Sequence, residues 1–159
     1  MAQPQTIPDT PARVPQQTHE AINRQIRGET ERRIATYRHR GSRAIRRRLA
    51  ELDREWDIER TLESNAAVVS LIGLGLGRFV DRRWYLLPGF VAAFLLQHAV
   101  QGWCPPLPIF RRMGIRTARE IDHERNALKA LRGDFNELGE NGRDPRSLPP
   151  QRLIEIMKR

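Results

Sequence analysis

The chain has 159 residues, a net charge of +9 and a mean hydropathy of −0.61. Its single cysteine excludes an intrachain disulfide scaffold, and its length allows one domain at most. Those averages alone would suit a nucleic-acid binder, but they hide a segregated sequence in which nearly all the densely apolar residues fall between Ser64 and Phe110.

In chain order, Met1 to Thr18 places Pro4, Pro8, Pro11 and Pro15 among Gln and Thr. This composition cannot bury enough surface to offset ordering, so a disordered tail is expected. Met1 to Gln5 has neither the basic nor the apolar region of a secretory leader, so any membrane insertion is expected to be directed by internal helices. Residues 19–63 read as a basic helical arm, divided near Gly41-Ser42. Ile45, Leu49, Leu52 and Trp56 recur at helical spacing along one stripe. Arg38, Arg40, Arg43, Arg46, Arg47 and Arg48 form a cationic cluster before it. That cluster reads either as a solvated face or as a contact for anionic lipid headgroups, each such residue being worth about 1 kcal/mol.

The apolar block predicts helices over about 64–80 and 84–103. The first is a little short of the hydrocarbon core, a deficit that Arg78 can make up by snorkelling. Ala66, Ser70, Gly73 and Gly77 form a small-residue face on which another helix can approach closely. The Gly73-Leu74-Gly75-Leu76-Gly77 run lacks the lysine and Ser/Thr of a phosphate-binding loop. Asp81 to Tyr85 makes a charged turn with two interfacial aromatics, and Pro88 sits early enough to be tolerated at a helix start. Gln97, His98 and Gln101 weaken insertion of the second helix and should face a partner helix or the headgroups. The expectation is an all-α fold, a two-helix transmembrane hairpin flanked by amphipathic cytoplasmic helices and disordered tails. Arginines flank the hairpin on both sides, which by the positive-inside rule puts both termini in the cytoplasm. A helical hairpin in water that dimerises through these faces is the alternative.

Gly102 to Pro108 carries three prolines that stop the second helix. Thr117 and Glu120 then form a capping box, and Ile121, Leu128, Leu131 and Phe135 make an apolar stripe behind it. The hairpin and this helix make up residues 64–138, with a loop and short terminal helix over 139–159.

The Gly102-Trp103-Cys104-Pro105 run after an apolar hairpin, followed by Met113-Gly114-Ile115-Arg116-Thr117 and by Ala127 to Phe135, resembles the YgaP-like inner-membrane protein transmembrane domain family. The resemblance covers about Ser64 to Phe135 and implies a small, dimeric two-helix module in a bacterial inner membrane, crossing it more than once. In the family's best-known architecture the hairpin is fused to a rhodanese domain with its own sulfur-carrying cysteine. This chain has no room for that domain and no second cysteine, so sulfurtransferase activity does not carry over.

Cys104 is the one residue with nucleophilic potential, and Arg111 and Arg112 nearby in sequence favour a thiolate. The bland reading is a small buried residue beside Trp103. His98 and Cys104 fall short of a four-ligand metal spacing, so neither a metal nor a cofactor is expected. His19, His39 and His123 sit in charged contexts and read as solvated, and no catalytic set emerges. The functional expectation is a small integral inner-membrane protein, a non-catalytic scaffold or accessory subunit with basic cytoplasmic arms. Its expected partners are a bilayer with anionic headgroups, contacted by Arg43, Arg46, Arg47, Arg48, Arg111 and Arg112, and a second copy or another membrane protein. The alternative is a soluble basic helical protein binding an acidic partner or nucleic acid, the latter disfavoured for want of a reading helix. A further alternative is membrane-linked thiol or sulfur handling through Cys104.

Overall fold

A computed structural model describes residues 9–135. All the regular structure among them is helical: α1 (Arg13–Gln16), α2 (Glu20–Tyr37), α3 (Ser42–Leu52), α4 (Ile58–Phe79), a 3-10 turn (Arg82–Tyr85), α5 (Leu86–Gln101), α6 (Leu107–Arg112) and α7 (Ala118–Arg132). The expected loop and terminal helix over 139–159 lie outside the described residues. The chain forms two compact units, residues 9–27 with Trp56–Glu120, and Gly28–Glu55 with residues 121–135.

In the first unit α4 and α5 pair as a hairpin. Asp57 caps α4 by accepting from the Arg60 amide at 2.8 Å, so the helix starts at Ile58, six residues before the apolar block. Close approach of the two helices depends on glycine: a Cβ at Gly77 would lie 2.8 Å from the Tyr85 ring, and one at Gly73 would lie 2.8 Å from Pro88 Cδ. Val14, Ile58, Leu62, Cys104 and Leu107 form the core of this unit, with Phe110 and Ile115 against it. Val14 belongs to α1, so part of the expected proline-rich tail is helical and buried.

Arg111, fully buried, ties the lower part of this unit together. Its guanidinium donates to both oxygens of Glu120 at 2.7 and 2.8 Å, to Asn23 Oδ1 at 3.1 Å, to Thr18 Oγ1 at 3.2 Å and to the Ile115 carbonyl at 3.0 Å. The capping box forms as well, Glu120 accepting from the Thr117 amide at 2.7 Å while Thr117 Oγ1 accepts from the Glu120 amide at 3.2 Å. Burial pushes the Glu120 carboxyl up, but Arg111 and the Thr117 amide outweigh it and hold it below its usual range.

In the second unit Ile45, Leu49 and Leu52 of α3 pack with Ile121 and Leu128 of α7, and Tyr37 joins them. Trp56, the fourth residue of the expected α3 stripe, lies beyond that helix, half exposed, with the Arg60 guanidinium over its ring. Glu124 is fully buried and accepts from Arg48 Nε at 2.8 Å and Arg33 Nε at 3.2 Å.

The hairpin corrects one expectation. No helix among the described residues is long and apolar enough to cross a membrane. This overturns the transmembrane assignment, the multi-pass inner-membrane localisation and the topology drawn from it. Two features explain the difference. α5 ends at Gln101 after 16 residues, about 24 Å against a hydrocarbon core of about 30 Å. α4 is longer, but Glu59, Arg60 and Glu63 occupy its first turns and Arg78 its last, so its apolar part is short.

Removing Arg111 leaves the half-buried Glu120 carboxylate without its counter-ion and the Asn23 and Thr18 oxygens without their buried donor. Arg111→Met is therefore expected to lower unfolding free energy by about 3–5 kcal/mol in urea titration. Arg111→Lys, which keeps charge but not the two-pronged contact, should recover only part of that loss.

Candidate functional site

The junction between α5 and α6 places a thiol and an imidazole near a carboxylate from the first turn of α4. α5 stops because Gly102 turns left-handed, with φ at +77°, and donates its N–H to the His98 carbonyl at 2.7 Å. Arg13 of α1 packs directly on this turn, its backbone 2.6 Å from where a Cβ on Gly102 would lie, so no larger residue fits. The chain then runs through Trp103 to Cys104, whose carbonyl accepts from the Leu107 amide at 3.1 Å as α6 begins. Cys104 is thereby fixed beside the last turn of α5, buried among Val14, Ile58, Leu62 and Leu107.

His98 is buried on that last turn. Its Nε2 lies 2.9 Å from Glu59 Oε2, and the other Glu59 oxygen accepts from Arg13 Nη2 at 2.9 Å. Arg13 Nη1 also donates to the Ala99 carbonyl at 3.0 Å, so α1, α4 and α5 meet at one carboxylate. His98 Nδ1, equally buried, makes no hydrogen bond of ordinary geometry. The Cys104 thiol lies close enough to be the first cause of a rise in the His98 pKa to about 9; Glu59 is the second, and burial opposes both. The same contact with His98, helped by Arg13 and opposed by burial, holds the Glu59 carboxyl below its usual range. A protonated imidazole fits the Glu59 contact, because its Nε2 then donates to the carboxylate.

Cys104 also lines a groove of about 370 Å³ between α4, α5 and the start of α6. Leu62, Ala66, Val69, Val91, Phe94 and Leu95 contribute from the hairpin helices, and the other residues around it are Asn65, Pro105, Pro106 and Ile109. Its volume is at the lower end of the ~300–1,000 Å³ of small-molecule sites, and its walls are almost wholly apolar.

The structure distributes the sequence-selected residues unevenly. Of the small-residue face, Ala66 lines the groove, Ser70 is half-buried on α4, and Gly73 and Gly77 lie under Leu87, Pro88 and Tyr85 of the same hairpin. Gln97 is half-buried and Gln101 exposed, leaving His98 as the member of that polar trio that joins the site. Arg43, Arg46, Arg47 and Arg112 are exposed, whereas Arg48 and Arg111 are committed to internal carboxylates. Arg111, selected as a thiolate neighbour, is bound to Glu120, and Arg112 is exposed; the charged groups built around His98 are Glu59 and, through it, Arg13. Sequence reading missed both, since 39 positions separate Glu59 from His98 and 46 separate it from Arg13, and no local spacing connects them. Among the described residues no three His, Cys, Asp or Glu side chains group as a metal site.

No family model, curated protein or solved structure matches the chain.

The raised His98 pKa carries a stability consequence. A histidine bound more tightly to its proton when folded contributes fully below its unfolded pKa of about 6.5 and loses that contribution as pH rises through about 9. Urea denaturation is expected to show a decline on the order of 2 kcal/mol between pH about 6.5 and 9.5. Glu59→Gln should flatten the decline.

Proposed function

We propose that this chain works through Cys104 as a reactive thiol that forms a covalent bond with a group held in the adjoining groove. The observation that carries this is the order Cys104, His98, Glu59, with the thiol opening on the groove and the far imidazole nitrogen held by a carboxylate. In this reading His98 Nδ1, buried and without a hydrogen-bond partner, is the base that takes the thiol proton; sulfur then attacks as the thiolate while Glu59 balances the imidazolium charge and fixes the ring. Arg13 keeps the second Glu59 oxygen occupied, so the carboxylate cannot swing away from Nε2. This is the division of labour by which a nucleophile, a base and an orienting acid act together. The proposal takes from the YgaP-like resemblance only the Trp103-Cys104-Pro105 junction, and its chemistry from this chain's own geometry.

The test is the rate at which iodoacetamide alkylates Cys104 at neutral pH, followed by intact mass. The native chain is expected to react about tenfold or more faster than His98→Gln or Glu59→Gln variants shown by circular dichroism to be folded. Equal rates would overturn the proposal.

A second reading, an associating scaffold, is favoured by the hairpin surface. Leu71, Phe79, Leu86, Phe90 and Leu96 are between 62% and 84% exposed, and a monomer rarely leaves so many large apolar side chains together in water. We assign a second copy as the occupant. Arg78, Arg82 and Arg83 outnumber Asp81 at the turn of the hairpin, and Asp57 and Glu63 outnumber Arg60 at its foot, Glu59 there being already paired with Arg13 and His98. An antiparallel two-fold pairing therefore brings opposite charges alongside each other as the apolar faces close. Sedimentation equilibrium should give twice the chain mass, reduced to one by Phe90→Glu. A monomer at every concentration, or capture by lipid vesicles without self-association, would overturn this reading.

A further inference from the structure

The walls of the groove say what kind of group the thiol meets. Six side chains of α4 and α5 present only hydrocarbon, Pro105, Pro106 and Ile109 add more, and Asn65 is the one polar side chain there besides the thiol. A charged or sugar-like substrate would lose its hydration here without replacement hydrogen bonds. An aliphatic chain would gain about 0.8 kcal/mol for each methylene buried. The reacting sulfur lies where α5 ends and the loop to α6 begins, so an apolar chain running along the hairpin helices would leave its polar end at Cys104.

We propose that the groove binds a long-chain acyl group presented as a thioester, and that Cys104 Sγ accepts the acyl. This rests on the reading of Cys104 as a reactive thiol and names its substrate class. Sγ attacks the carbonyl carbon; a new carbon–sulfur bond forms to Cys104 and the original one to the donor's sulfur breaks. The departing thiolate takes the proton that began on Cys104 and was held on His98 Nδ1. No atom changes oxidation state, and no further reactant is needed. The Asn65 carboxamide supplies an N–H donor for the carbonyl oxygen as negative charge builds there. His98 stays held by Glu59, and Glu59 by Arg13, while the acyl chain occupies the groove. The product is an S-acylated protein whose acyl chain lies along its own hairpin.

The purified chain is incubated separately with acetyl, octanoyl and hexadecanoyl thioesters, with intact mass and peptide mapping as readouts. The expected product gains the mass of the acyl group at Cys104, loses it in neutral hydroxylamine, and forms at least about tenfold faster with the long chain than with acetyl. It should be absent in Cys104→Ser. Ala66→Trp, which fills the groove, should abolish the preference for the long chain. Acetyl and hexadecanoyl donors reacting at equal rates would overturn the acyl assignment. So would a Cys104 that takes iodoacetamide rapidly but no long-chain acyl, an outcome that leaves the reactive thiol standing. Failure with iodoacetamide and with every thioester would overturn both.

Discussion

Much of the first unit depends on one carboxylate. Glu59 stands in the first turn of α4 with Arg13 on one oxygen and His98 on the other, so a single side chain joins α1, α4 and α5 at the point where the hairpin meets the rest of that unit. Without it the buried imidazolium would lose the carboxylate bonded to its Nε2, a loss that costs several kcal/mol. The same carboxylate sets which imidazole nitrogen remains for Cys104. Packing and chemistry therefore share one residue, and a substitution at Glu59 cannot touch one without the other.

A similar pattern recurs elsewhere. Arg111 in the first unit and Glu124 in the second are fully buried ions whose partners come from well-separated parts of the chain. Large apolar side chains are instead left outside on the hairpin, where Leu71, Leu86 and Phe90 are exposed. The chain thus places ionic clusters where a globular protein of its size would place more leucine and phenylalanine. Such clusters impose geometry through directional bonds, which apolar contacts do not. This directionality positions the His98 ring, and through it the relation of the ring to the thiol.

What was legible in the sequence was whatever the chain announces locally. The Ile45, Leu49 and Leu52 stripe packs as its spacing requires, the Thr117–Glu120 box caps α7, and Gly102 with the prolines behind it ends α5. Hydropathy misplaced the start of α4, because Asp57 caps a charged turn that an apolar window ignores. It also made the hairpin look fit to cross a bilayer, since a run of apolar letters does not reveal that α5 stops after 16 residues. Arg13 was invisible for another reason. Proline-rich composition argues against order on average, yet one short turn carrying Val14 and Arg13 gains a core contact and two hydrogen bonds that composition cannot foresee. Cys104 and His98 were weighed together only as metal ligands, for which their spacing falls short. Their relation through Glu59 is a tertiary fact, and no spacing encodes it.

The central claim is that thiol, imidazole and carboxylate form one proton-sharing unit, and nitrogen-15 NMR of the His98 ring reads it most directly. The account predicts that both ring nitrogens carry protons at neutral pH, that the ring titrates near 9, and that its midpoint falls toward 6.5 in Cys104→Ala and in Glu59→Gln alike. A His98 that titrates near 6.5 in the native chain, or whose midpoint is indifferent to the loss of the Cys104 sulfur, would contradict it.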